Sequence, residues 1–225
     1  MVRGESSVNK VYVALAILIV ILIMFTFLFS GNQLILAIVE SKYLTEGWDD
    51  SGDHFYDERL LGLEKQASIK YGLDDDYVYS AFLRVTTIKT LFTMSEEELL
   101  EKTKETVIQS AAEKNITLNE TSIFKSSRVL DNGHKTTYII YNGTIILNNY
   151  SEQIAILGET WNCALSGTSI ICIGFAQVTD NSNNLGYNYT ALAKVLGDRE
   201  GTFVERFSSY DFIKDEGLIF KVKCH

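Results

Sequence analysis

The sequence predicts an α+β chain: a long N-terminal transmembrane α-helix, then a soluble domain of helices followed by a mainly antiparallel β-sheet. Three observations carry this. No charged residue occurs from Val11 to Val39. Apolar residues recur at helical spacing from Leu99 to Ala111, behind a Ser95-Glu96-Glu97-Glu98 start. From Thr121 onward, short β-branched and aromatic runs alternate with Gly and Asn turns. The chain divides accordingly into a short basic head (1–10), an apolar helix with its extension (11–46), a helical part (47–120) and a β-rich part (121–225).

Nearly every residue from Val11 to Phe29 is Val, Ile, Leu, Ala, Met or Phe. An uncharged apolar run of about 18 or more residues reads as a membrane-spanning helix, because hydrocarbon tolerates only an internally hydrogen-bonded backbone. Leu34, Ile35, Leu36, Ala37, Ile38 and Val39 continue the pattern, and nothing breaks it strongly before Gly47. A helix over 7–46 would run on the order of 60 Å at about 1.5 Å per residue. A bilayer's hydrocarbon core is only about 30 Å thick, so the second half needs cover from the domain or from neighbouring copies. Arg3 and Lys10 precede the run, opposed only by Glu5, whereas Glu40, Glu46, Asp49, Asp50 and Asp53 follow it with Lys42. The positive-inside bias predicts a single-pass protein of the cell membrane, amino terminus cytoplasmic and domain extracytoplasmic. The run is longer than the h-region of a secretory signal, about 7–15 residues, and lacks an A-x-A-like end, so it is expected to be retained.

In the domain, Trp48–Asp53 reads as a turn and 55–71 as a helix with Gly72 as its C′ residue. Val85–Ile88 favours a strand. Ser95–Glu98 is a capping box that opens a helix toward Lys114. Strands are expected over 123–130, 136–141, 144–148, 169–178, 187–196, 202–207 and 217–224. Asp131-Asn132-Gly133 and Asn142-Gly143 are hairpin signals.

Asn-x-Ser/Thr acceptors at Asn115, Asn119, Asn142, Asn149 and Asn188 all fall in the proposed outer domain, as candidate glycosylation sites. Cys163 and Cys172 lie symmetrically about Gly167-Thr168, and Gly at the first central position suits a type II′ hairpin. Two readings follow: a Cys163–Cys172 hairpin disulfide, which needs an oxidising exterior, or three buried cysteines acting as small hydrophobes. Cys224 is left as a free thiol, an intermolecular bond or a different pairing.

The net charge of −9 argues against a basic face for nucleic acid. Proline is absent, where usage of about 5% predicts roughly eleven; Gly, Asn and Asp must make the turns. Catalysis has little support. His54, His134 and His225 fit no H-x-x-x-H or H-E-x-x-H arrangement, and no G-x-S-x-G or phosphate loop occurs. His134 reads as a solvated turn residue and His225 as exposed. The acidic cluster of Asp49, Asp50, Asp53, His54, Asp57 and Glu58 fits no calcium loop, and Asp180–Gly186 lacks the Gly and Glu that one requires. No cofactor and no metal is expected.

The amino terminus, Arg3-Gly4 before Glu5-Ser6-Ser7-Val8-Asn9-Lys10-Val11-Tyr12-Val13 and a long apolar helix, resembles the archaeal pilin-like group with a class III signal. That group's pattern is a basic residue, Gly, then Gln-x-Ser-x-Glu-x-x-x-Leu. Arg3, Gly4 and Ser7 match it; Glu5, Asn9 and Val13 stand for its Gln, Glu and Leu. The resemblance covers about the first forty residues. It implies processing between Gly4 and Glu5, releasing a leader over 1–4, and packing of the helices of many copies into a filament core. The expected function is structural or adhesive: an anchored, minor-pilin-like subunit whose partners are the bilayer, its own copies or other pilus proteins. The alternative is a single-pass, monomeric binding or sensing domain, which requires 34–39 to pack on the domain itself.

Overall fold

Alternation with a period of two dominates the chain after the first helix. In the strand Tyr150–Cys163, Ile154, Ile156, Gly158 and Thr160 face one way, while Ala155, Leu157, Glu159, Trp161 and Cys163 face the other, and all of these are buried. A strand buried on both faces needs a layer on each side, and the fold supplies both. The computed structural model describes residues 5–30, 33–44, 48–73, 81–147, 150–177, 179–180, 186–187 and 217–225.

In chain order the elements are α1 (Glu5–Ser30), β1 (Ile38–Val39), β2 (Trp48–Arg59), β3 (Glu64–Leu73), β4 (Phe82–Lys89), α2 (Glu96–Glu113), β5 (Thr117–Val129), β6 (Lys135–Leu147), β7 (Tyr150–Cys163), β8 (Thr168–Gln177), β9 (Thr179–Asp180), β10 (Gly186–Tyr187) and β11 (Val222–Lys223). A seven-stranded antiparallel sheet runs β2-β3-β4-β8-β7-β6-β5. Its edges are β2 and β5, and each carries a register shift, at Asp50/His54 and Asn119/Phe124. Edge strands with bulges and charges resist pairing with other chains. That role accounts for Asp49, Asp50, His54, Asp57 and Glu58 on β2, where His54 Nε2 lies 3.0 Å from Asp50 Oδ1.

α2 covers the first face. Ser95 caps it: its hydroxyl accepts the Glu98 N–H, and the Glu98 carboxylate accepts the Ser95 N–H, satisfying two end donors reciprocally. Leu99, Leu100, Val107 and Ala111 pack on Ile139, Ile154, Ile156, Ile171 and Ile173. The helix comes so close to β7 that a Cβ on Gly158 would lie 2.8 Å from both Thr103 Cγ2 and Val107 Cγ2. Glycine is required there by approach rather than by conformation.

The second face is covered by two short pieces from distant parts of the chain, residues 37–44 and 217–225. They meet as β1 and β11, pairing Ile38 with Lys223 and Val39 with Val222. The Ala37 N–H donates to Thr87 Oγ1 at 2.8 Å and the Val39 N–H to the Tyr71 hydroxyl at 3.0 Å. Lys223 adds a 2.7 Å ion pair to Glu40. Beneath this cover lies a buried charge pair: Arg128 Nε donates to both Glu159 oxygens at 3.0 and 3.1 Å, and the guanidinium sits between the Tyr138 and Phe220 rings. Thr136 Oγ1 donates to the same carboxylate.

Several expectations are corrected. Among the described residues no helix is long and apolar enough to cross a membrane. α1 ends at Ser30, and residues 33–37 have no regular structure before β1. The transmembrane helix extending over 11–46, the single-pass anchor and the cell-membrane placement are therefore withdrawn. The helix expected over 55–71 is the β2–β3 hairpin, because Ala67, Ile69 and Tyr71 bury every second residue. Trp48–Asp53 is strand, not turn. Asn142-Gly143 is not a hairpin but the middle of β6; a Cβ on Gly143 would meet Ile116 Cγ2 at 2.7 Å, so this glycine also serves close approach. The strands expected over 187–196 and 202–207 lie outside the described residues apart from Tyr187, which ends β10, and 217–224 holds a 3-10 turn before β11.

Other expectations hold. The capping box and helix stand as read. Asp131-Asn132-Gly133 turns β5 into β6 with Gly133 at φ +80°. The strand around Val85–Ile88 is β4.

Candidate metal centre

At one end of the second face, three separate pieces of chain deliver soft donor atoms to one point. The β5–β6 turn supplies His134. Asn132 shapes that turn: its Oδ1 accepts the His134 N–H at 2.9 Å, and its Nδ2 donates to the Val222 carbonyl at 2.9 Å. The same side chain therefore sets His134 and tethers the C-terminal strand. β7 ends at Cys163, beside the turn over 164–167, where Gly167 adopts φ +63°. β11 leads directly into Cys224 and His225.

The donor atoms of His134, Cys163, Cys224 and His225 all lie within 4.8 Å of one another. Cys224 Sγ is 3.3 Å from His134 Nε2 and 3.6 Å from His225 Nδ1, and Cys163 Sγ is 3.5 Å from the same nitrogen. Both sulfurs are buried, His134 is half-buried and His225 is exposed beside a cleft of about 310 Å³. Trp161 forms one wall, its ring stacked on His134 with centroids 6.5 Å apart. The buried Trp161 indole N–H has no hydrogen-bond partner among the described residues.

Electrostatics divides the two thiols. Burial raises Cys163, but hydrogen bonds from Cys224, Ser166 and His225 outweigh it and bring the thiol down to about 7. Burial, and then the hydrogen bond with Cys163, push Cys224 up to about 12. Burial and the neighbouring His225 hold the His134 imidazole below its ordinary value.

The three cysteines are free. The hairpin disulfide expected for Cys163 and Cys172 is not formed, because the register sets Cys163 opposite Thr168 and Cys172 opposite Glu159. The connection is a longer loop than the symmetric reading assumed. Cys172, wholly buried in the sheet, stands apart from the cluster, and burial raises its thiol well above the ordinary range. His134 and His225, read from the sequence as unrelated surface residues, are brought together with Cys163 and Cys224 by the fold. The sequence signal was faint: two Cys and two His dispersed over ninety-odd positions, with only Cys224-His225 adjacent.

The remaining candidate residues are scattered. Asn115, at φ +56° after α2, and Asn119 on β5 are exposed; Asn142 is half-buried in β6. Asn149, Asn188 and Gly4 lie outside the described residues, and Glu5 opens α1. The sequence matches no protein-family model and no curated protein, and the fold matches no solved structure.

Proposed function

We propose that the chain is a non-catalytic structural subunit that assembles with its own copies through α1, leaving the sheet domain as the displayed module. One observation carries this reading. From Val11 to Leu22 the large apolar side chains of α1 are 47–67% exposed on every side of the helix, and among the described residues no element of the sheet domain packs substantially against it. A helix that is apolar all round requires surroundings all round. The same helix from other copies supplies them symmetrically. The excess of acidic groups, all but Glu5 of them beyond Val39, keeps the domains apart and outside such a bundle. The resemblance of the amino terminus to archaeal pilin-like chains supports the same use of the helix.

Sedimentation of the full chain in mild detergent tests the proposal. A concentration-dependent oligomer is expected, dissociated by Ile17→Asp with Ile21→Asp. A monomer at every concentration overturns it, as does uptake of single chains into phosphatidylcholine vesicles without self-association. The mass of the amino-terminal peptide from native cells tests the pilin resemblance. A peptide that begins at Glu5 supports it, and one that begins at Met1 or Val2 removes it.

A second reading, a monomeric binding or sensing domain, is favoured by the burial of Ala37 and Val39 on the chain's own sheet. A cleft of about 570 Å³ between the start of α2 and β5–β7, lined in part by Lys125, Lys135 and Trp161, is its natural binding site. The monomeric outcome of the sedimentation experiment would select this reading.

A further inference from the structure

We propose that His134, Cys163, Cys224 and His225 bind one Zn²⁺ ion as a closed structural site that fastens the C-terminal strand, and with it residues 37–39, to the sheet. The inference is independent of how α1 is used.

Geometry carries the argument. A tetrahedral Zn²⁺ has bonds of about 2.3 Å to sulfur and 2.0–2.1 Å to nitrogen, which sets each S···N edge near 3.6 Å. Three of the four S···N separations are 3.3, 3.5 and 3.6 Å, and all four donor atoms lie within 4.8 Å of one another. The donors thus already stand close to the edges of such a tetrahedron. Two thiolates and two imidazoles select Zn²⁺ over Mg²⁺ or Ca²⁺, which take oxygen donors. Four protein ligands fill a tetrahedron, which is the arrangement of a structural rather than a catalytic site.

The surroundings fit the ion as well. The buried Trp161 indole N–H, on a ring stacked against His134, is a donor without an acceptor among the described residues. A metal-bound thiolate is the acceptor it lacks, and such outer contacts orient ligands. Binding displaces the thiol protons to solvent.

The linkage to the rest of the fold follows from the chain path. β11 pairs with β1 through only two residue pairs, immediately before Cys224. A short two-stranded contact is marginal by itself. An ion bonded to Cys224 and His225 on one side, and to His134 and Cys163 on the other, closes it.

The test uses the full chain purified under reducing conditions and loaded with zinc. We expect one zinc per chain after gel filtration. Replacement by Co²⁺ should give the intense visible bands of a tetrahedral thiolate site. Cys163→Ser and Cys224→Ser should lose the tightly held metal, with at least a hundredfold weaker Co²⁺ binding, whereas Cys172→Ala should keep one equivalent. Should the serine variants fail to fold, apo and zinc-loaded wild type are compared by hydrogen exchange: zinc should slow exchange at Ala37 and Val39 at least tenfold, and should raise Tm by about 5 °C or more. Wild type that retains no zinc and shows no thiolate–cobalt bands overturns the proposal. So does native protein carrying a Cys163–Cys224 disulfide and no metal.

Discussion

The two faces of the sheet are built by opposite methods. The α2 face is local and apolar: one helix, periodic in sequence and capped by its own first turn, lies on isoleucines of the central strands. The other face is assembled from pieces up to 183 positions apart, as in the ion pair between Lys223 and Glu40. It buries an Arg–Glu pair beneath chain with little regular structure and gathers the His/Cys cluster, its two sulfurs buried, at one end. A regular layer can be specified by pattern alone, whereas an irregular one needs directional contacts to hold it in register. The polar chemistry of this molecule collects on the irregular face for that reason.

The largest test of this contrast is the buried charge pair. Glu159→Gln leaves the Arg128 guanidinium buried without its counter-charge and should cost about 3–5 kcal/mol in urea unfolding. The double change Arg128→Met with Glu159→Leu removes both charges and should cost far less than either single change. Equal costs would show that packing, not charge, holds this face. On the apolar face the expected effect is smaller. Gly158→Ala places a Cβ 2.8 Å from Thr103 and Val107 and should cost about 1–3 kcal/mol, by pushing α2 off β7. Circular dichroism should show the helix retained, since its own sequence supports it. A variant as stable as wild type would show that α2 is not pressed against the sheet.

The smallest effect concerns the cap. Ser95→Ala should cost about 1 kcal/mol. The Ser95 N–H and hydroxyl hold the Glu98 carboxyl below its ordinary value. A carboxyl with a folded pKa lower than its unfolded one stabilises fully above the unfolded value, about 4.3. That contribution disappears as pH falls through the folded value. The acid limb of stability should therefore be shallower in Ser95→Ala, in urea midpoints measured from neutral pH downward. An unchanged limb would place the acid sensitivity elsewhere.

The same division explains what could be read from the sequence. α2, β4 and the Asp131-Asn132-Gly133 turn are written in short-range code, a capping box, β-branched runs and a turn tripeptide, and each stands where it was expected. The β2–β3 hairpin is not legible in the sequence because an acidic, bulged edge strand carries charges on residues that would equally suit a helix start. β7 escaped because Gly158, Glu159 and Asn162 interrupt its apolar run, and each is explained only by a partner elsewhere: α2, Arg128 and Met94. The His/Cys cluster was illegible for the same reason. Its four residues share no spacing motif, and only the meeting of β7, the β5–β6 turn and the final strand makes them neighbours.

The seam between β1 and β11 has a mechanical consequence. Whatever holds α1 transmits its load through residues 33–37 into the Ala37 and Val39 amides, and from there to Thr87 on β4 and Tyr71 on β3, strands inside the sheet rather than at its rim. A tug on the helix would thus be shared by interior strands, while β11, in the same seam, leads directly into Cys224 and His225.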